Sequence, residues 1–339
     1  MSGILKSAAG LRRQSPLHRL FARRPTTTVQ GFWYGNPLAP LHWACLNSFV
    51  ERGLGFDLYA YQELAVPAGV CLRDANEIVP KEEMFFFANP QTGQPDVAPF
   101  VDYFRLLVLH RRGGWWCDVD TVCLTGTLPS GDRVWARQSP EYRPESVSNG
   151  QLRFNSKDPL LEILIEETRK RKANFARRES LGPELFTSVL NELGLPLDMG
   201  ATADMFYPIR FIENFKLWLP EFNEEVRARV EDAVFVPVFQ SFPARLGFAN
   251  DKLPPKGSYL RKFQRKYAPQ FDWPDYGTDE FRTAVRNWFL ANPKFIPMLK
   301  SVSEPNIESW LKTGSIRNKQ KAAPRSRRAR GSHRRRPNS

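Results

Sequence analysis

From Val29 onward the apolar positions either alternate or recur at helical spacing, in a regular succession. "VQGFWYGNPL" (29–38) reads as a short strand stopped by the turn residues Gly35-Asn36-Pro37. In "PLHWACLNSFVERG" the residues Leu41, Ala44, Cys45 and Phe49 share one helical face, and Gly53 ends the run. "GFDLYAY" (55–61) alternates Phe56, Leu58 and Ala60 as a second strand would. This strand–helix–strand order predicts an α/β domain with a largely parallel sheet.

Further along, "PFVDYFRLLVLHRR" (99–112) predicts a helix. Pro99 suits its first turn, Arg111 and Arg112 complement the negative end of its dipole, and Gly113 is a natural stop. Phe100, Phe104, Leu107 and Val108 form its apolar stripe, while Asp102 and Arg105 share another face. Residues 156–172 and 182–194 read as two more helices, the second opened by Gly182-Pro183 and closed by Gly194. "AVFVPVFQSF" (233–242) is strand-like, but Pro237 confines it to a sheet edge or a strand end. No internal repeat is present.

Composition changes this picture in one respect. The formal charge of +13 comes from the two ends: residues 1–30 carry six Lys/Arg and residues 312–339 carry eleven, with no acid in either. Residues 31–311 hold 32 basic and 36 acidic side chains, a net of −4. The expected layout is a basic N-terminal segment (1–28), a folded domain (29–311) and a disordered basic tail (312–339). The N-terminal segment, Arg- and Ser-bearing and acid-free, is compatible with a mitochondrial-type presequence. The tail reads either as a solvated end or as an attraction to anionic membrane lipid or nucleic acid. No apolar run approaches the ~20 residues of a membrane span. Cys45, Cys71, Cys117 and Cys123 make no CxxC pair and read as reduced and buried. Together these features predict a cytoplasmic protein, with the basic ends as a route to peripheral membrane contact.

The chemistry concentrates in "RRGGWWCDVDTVCL" (111–124). If the run is one strand, Asp118 and Asp120 project from the same face. Two carboxylates side by side repel, and burying them uncompensated costs several kcal/mol. A hard divalent ion such as Mn²⁺ or Mg²⁺ between them resolves that conflict; so does an exposed strand end. Gly113-Gly114 permits a tight helix-to-strand passage.

With its surroundings, "VDYFRLLVLHRRGGWWCDVDTVCL" closely resembles the core motif of the DXD-containing sugar-transferase region. That region is shared by the Och1-like and capsular-polysaccharide glycosyltransferases (family 32) and by the large clostridial glucosylating toxins. Asp102, Arg105, Asp118 and Asp120 match in type and spacing. "FWYGNPLAPLHWACLNSFVERG", "VCLRDANEIVP", "SNGQLRF" and "LGPELFT" are similar to further landmarks, so that about residues 30–265 are covered. The resemblance implies a GT-A type nucleotide-sugar fold and a retaining, metal-dependent hexosyltransferase for polysaccharide or glycolipid synthesis. It implies a UDP- or GDP-sugar donor and a saccharide or glycolipid acceptor. Asp118 and Asp120 are then expected at the metal and the donor diphosphate, with Asp102 and Arg105 at the sugar hydroxyls and phosphate. Asp102, Arg105 and Asp120 are the expected catalytic set.

Trp33 is expected near the nucleotide base, with core packing as the other reading. Asn149 and the Gly182-Pro183 pair are candidates to line the donor site, the latter by aiming helix N–H groups at an anion; ordinary capping is the competing reading. One departure stands out. Where bacterial-type members of the family carry H-L-W-N, this chain reads Pro237-Val238-Phe239-Gln240, and proline supplies neither an imidazole nor an N–H. Two functions therefore stay open, a glycosyltransferase and a catalytically degenerate binding or scaffold protein of the same fold. A nucleic-acid-binding role ranks last, because the acidic body offers no basic groove and no recognition signature appears.

Overall fold

The computed structural model describes residues 27–88, 93–240, 242–249, 251–303 and 306–315. Nearly all of the two basic ends lies outside these residues, and with it the expectations placed on them. The strands are β1 (Thr28–Trp33), β2 (Gly55–Ala60), β3 (Val70–Asp74), β4 (Phe87–Ala88), β5 (Pro95–Asp96), β6 (Gly114–Cys117), β7 (Thr121–Cys123), β8 (Arg133–Val134), β9 (Gln151–Phe154) and β10 (Phe235–Pro237). The helices are α1 (Pro40–Glu51), α2 (Ala98–Arg112), α3 (Pro159–Arg171), α4 (Pro183–Glu192), α5 (Ala203–Phe206), α6 (Phe215–Trp218), α7 (Asn223–Val230), α8 (Phe242–Arg245), α9 (Tyr259–Tyr267), α10 (Thr278–Ala291), α11 (Ile296–Val302) and α12 (Ile307–Thr313).

Six strands form the central sheet in the order β3-β2-β1-β6-β9-β8. The first four run parallel, β9 runs against them and β8 runs with them again, giving the mixed, mostly parallel α/β architecture the strand–helix–strand order predicts. Register is set by apolar pairs such as Val29 opposite both Phe56 and Trp115. Helix α2 covers one face. Phe100 and Phe104 converge with Phe32 of β1, the Phe32 and Phe104 rings 4.6 Å apart. Burial of each such ring contributes about 1.5–3 kcal/mol. The helix is buried more evenly than its stripe predicts: Leu106 and Leu109 are in the core and Leu107 is only half-buried.

Gly113 ends α2 at φ +66°, and a Cβ there would fall 2.6 Å from the Ser156 amide. Only glycine fits both the conformation and the space. The buried Gln30 Nε2 donates to the Gly113 carbonyl at 2.8 Å, fixing the passage from α2 into β6.

The run 114–123 is not one strand. It leaves the central sheet after Cys117, turns over Asp118–Thr121 with the Thr121 amide donating to the Asp118 carbonyl (3.1 Å), and resumes as β7 against β10. The aspartates accordingly sit on a β-turn between two sheets rather than on one strand face. β10 is an edge ribbon with Pro237 as its last residue, where the missing N–H disrupts no ladder.

A C-terminal helical layer packs behind the ribbon. Trp310 stacks on Phe215 (5.2 Å) and Phe281 on Trp218 (5.5 Å), in the same core as Val122 of β7 and Val236 of β10. Helix α12 runs to Thr313, two residues past the boundary expected at 311. All four cysteines are free. Cys45, Cys117 and Cys123 are buried as expected, but Cys71 is exposed because it faces outward from β3. Among the described residues, no helix is long and apolar enough to cross a membrane.

Candidate active site

A cleft of about 530 Å³ opens where the carboxyl ends of β1 and β6 meet the turn 118–120. That is the edge at which open α/β sheets bind ligands, and the volume suits a small-molecule site. It brings together Trp33, Asp102, Arg105, Asp118, Asp120, Asn149 and Pro183. Gly182 adjoins it.

One wall is a buried charge relay. Arg105, only 3% exposed, lies between two acids. Its Nη1 is 2.9 Å from Asp102 Oδ1, an ion pair whose geometry falls short of a hydrogen bond, and its Nη2 donates to Asp118 Oδ1 at 2.9 Å. The guanidinium lies 5.3 Å from the centre of the Trp116 ring, whose Nε1 also donates to Asp118 Oδ1. Asn149 Nδ2 donates to Asp102 Oδ1 at 2.9 Å. Arg105 is thus committed to two protein carboxylates, and it positions Asp118 while partly neutralising the cluster.

Asp120 is held differently. Its Oδ2 accepts from the Gln240 backbone amide (3.1 Å), and its carbonyl accepts from the Val238 amide (2.8 Å). The chain reaches Gln240 through Phe239, a non-glycine residue at φ +45°. Such a conformation costs on the order of 1–3 kcal/mol and persists only where its surroundings impose it. Pro237-Val238-Phe239-Gln240 therefore meets Asp120 with main-chain N–H groups.

Burial, followed by the repulsion of Asp118, pushes Asp120 up to about 6. Asp102 also rises to about 6: burial dominates, Arg105 opposes it, and Asp118 adds to it. Tyr207, buried beside the turn, has its phenol pushed up by burial. A Cβ at Gly150 would be 3.0 Å from Asp118 Oδ2 and 3.7 Å from the Tyr207 hydroxyl, so both groups close around that glycine.

Gly182 contributes room rather than N–H groups. A Cβ on it would sit 2.2 Å from Asp102 Oδ2 and 3.0 Å from Asn149 Nδ2. Its amide and that of Glu184 both donate to the Glu179 carbonyl, and Pro183 has none, so these groups at the start of α4 are spent within the protein.

The other walls carry groups that no local motif announces: His42, Arg143, Arg178 and Arg245. Arg178 pairs with Asp96 at 2.5 Å. Arg245 lies over the Phe211 ring (4.5 Å), and burial and the neighbouring Arg178 lower its pKa. Among the described residues, neither Arg143 nor Arg245 has an ion-pair partner. Trp33 donates its Nε1 to the Asn36 carbonyl (2.7 Å) and packs against His42, ring centres 4.4 Å apart. It is half-buried, with its ring contributing to the cleft.

Three acids and one guanidinium at the turn leave negative charge in excess, a setting that favours a cation. Among the described residues no group of three or more His, Cys, Asp or Glu converges on one point, so the protein offers no closed cage. Two carboxylates, with the remaining positions left to phosphate oxygens and water, is the pattern by which Mg²⁺-like ions are held. Asp118 and Asp120 are the pair at the turn that such a pattern would use, each with one carboxylate oxygen engaged by protein donors. In a second depression Arg133 is spent internally, forming a bidentate pair with Asp158, which caps α3.

No protein-family model matches the chain, and no curated protein does. Among solved structures, similarity extends to the PaToxG glycosyltransferase, at 15% identity over 50% of this chain and 78% of that one, with a TM-score of 0.35. It also extends to the glycosyltransferase GlyE of Streptococcus pneumoniae TIGR4, at 15% identity, 78% of this chain and 64% of that one, with a TM-score of 0.36. Likenesses this distant fix no residue's role, and the chemistry of the cleft has to come from its own side chains.

Proposed function

We propose that the chain is a GT-A type glycosyltransferase moving a sugar from a UDP- or GDP-sugar to a saccharide or glycolipid acceptor. The observation that carries this reading is one cleft joining an acid turn, unpaired arginines and an aromatic wall. Those are the three surfaces a divalent ion, a diphosphate and a nucleobase require. Asp118 and Asp120 would hold Mn²⁺ or Mg²⁺, which supplies charge neutralisation at the departing diphosphate. Arg245 and Arg143 supply further cationic donors for the same anion, in a cleft where water is partly excluded. Asp102, once ionised, accepts from sugar hydroxyls, with Arg105 and Asn149 fixing its orientation. Retention of configuration belongs to the same proposal and is read from the anomer of the product.

The test is hydrolysis or transfer from a panel of UDP- and GDP-sugars with and without Mn²⁺. Metal-dependent turnover supports the enzyme. Nucleotide binding without turnover on any donor supports the alternative, a binding or scaffold protein, which the loss of an imidazole at Pro237 favours. In Arg245→Ala the Kd for UDP is expected to rise about tenfold, with weaker salt dependence, while uridine binds as before. Calorimetry on both ligands checks it.

A further inference from the structure

We propose that His42 selects the nucleobase, admitting bases with an oxygen at the pyrimidine 4 or purine 6 position (uracil, guanine) over those with an amino group there (cytosine, adenine). The inference rests on the reading of the cleft as a nucleoside-diphosphate site. His42 occupies the first turn of α1, and its Nδ1 accepts the Ala39 backbone N–H at 3.3 Å. A backbone N–H can only donate, so Nδ1 carries no proton and a neutral ring must carry its hydrogen on Nε2. Burial reinforces this by lowering the imidazole pKa to about 4. Among the described residues none accepts from Nε2, while the ring borders the cleft.

The result is a fixed hydrogen-bond donor that cannot act as an acceptor. Beside it, Trp33 offers its ring, because its own N–H is already taken by Asn36. This aromatic pair differs in kind from the acid turn that draws the diphosphate, so it is the part of the cleft suited to a flat base. Uracil and guanine carry an acceptor oxygen where cytosine and adenine carry an amino donor. An amino group facing Nε2–H would set donor against donor. An unmade hydrogen bond of this kind costs roughly tenfold or more in affinity.

The experiment is calorimetric titration of the full chain with UDP, GDP, CDP and ADP at fixed Mn²⁺, for the wild type, His42→Phe and His42→Gln. Wild type is expected to bind UDP and GDP at least about tenfold tighter than CDP and ADP. Phenylalanine keeps an aromatic surface and is expected to bring the ratio close to one. Glutamine, which presents either a donor or an acceptor, is expected to narrow the ratio and covers the case in which His42→Phe does not fold. Equal affinities in the wild type, or a preference that survives in both folded variants, overturns the role of His42 alone. Absence of binding by all four nucleotides overturns the nucleotide reading and this inference with it.

Discussion

Asp120→Asn is expected to lower Mn²⁺-dependent donor turnover by at least about a hundredfold while raising the melting temperature of the ligand-free protein at pH 8. The first effect follows from removing a charged ligand of the proposed cation. The second follows from linkage. Asp120 titrates near 6 in the folded chain, above the ordinary carboxylate value of 3.8. Between pH 4 and 6 the native state therefore binds more protons than the unfolded one. Above pH 6 the ionised, half-buried carboxylate costs stability; as pH falls through 6 toward 4 that cost disappears.

Asparagine keeps an oxygen for the Gln240 amide but carries no charge. The gain in the variant is expected to be roughly 2–4 °C at pH 8 and to shrink toward zero near pH 4.5. Asp102 contributes in the same sense, and His42 opposes both, since its lowered pKa makes the fold less stable as pH drops from 6.5 toward 4. Differences between variant and wild type at each pH isolate the single group. Calorimetric melts from pH 4.5 to 8 check the prediction, and a variant that melts lower at pH 8 refutes it.

Gly182→Ala carries the second large effect. No left-handed backbone demands glycine there, since φ is −108°. The obstacle is the Asp102 carboxyl, 2.2 Å from the new methyl group and buried under Arg105 and Asn149. Either Asp102 or the start of α4 must move, at a cost of about 1–3 kcal/mol in stability. Donor turnover is expected to fall about a hundredfold or more, because Asp102, Arg105 and Asp118 move as a unit. A double variant, Gly182→Ala/Asp102→Ala, is expected to recover much of the lost stability and none of the activity. Urea unfolding and donor hydrolysis on the four members of the cycle measure this coupling.

The main-sheet elements were legible because their apolar periods are long and their stops are glycines and prolines. The course of the acid turn was not. Cys117-Asp118-Val119-Asp120 alternates as a strand would, and the run to Cys123 contains no glycine or proline at the bend. What breaks it is tertiary: the Asp118 amide donates to the Gly150 carbonyl, whereas β7 finds its partner in β10, more than a hundred residues later.

The residues of the motif, Asp102, Arg105, Asp118 and Asp120, could be singled out by spacing and resemblance, and the fold gathers them in one cleft. His42, Arg143, Arg178 and Arg245 could not. Each lies in an ordinary helical or polar stretch and reaches the cleft through packing that no local pattern encodes. Pro237 as an edge residue was readable from its chemistry. The amide that meets Asp120 through a strained Phe239 was not.

Asp118 is fastened to the central sheet, whereas Asp120 is fastened to a ribbon whose other side is packed into tryptophans more than ninety residues further along. The gap between the two carboxylates is therefore adjustable from a distance. Repacking around Trp218 or Trp310 is expected to alter it without touching either acid and, in the proposed cation site, to change which ion is held best.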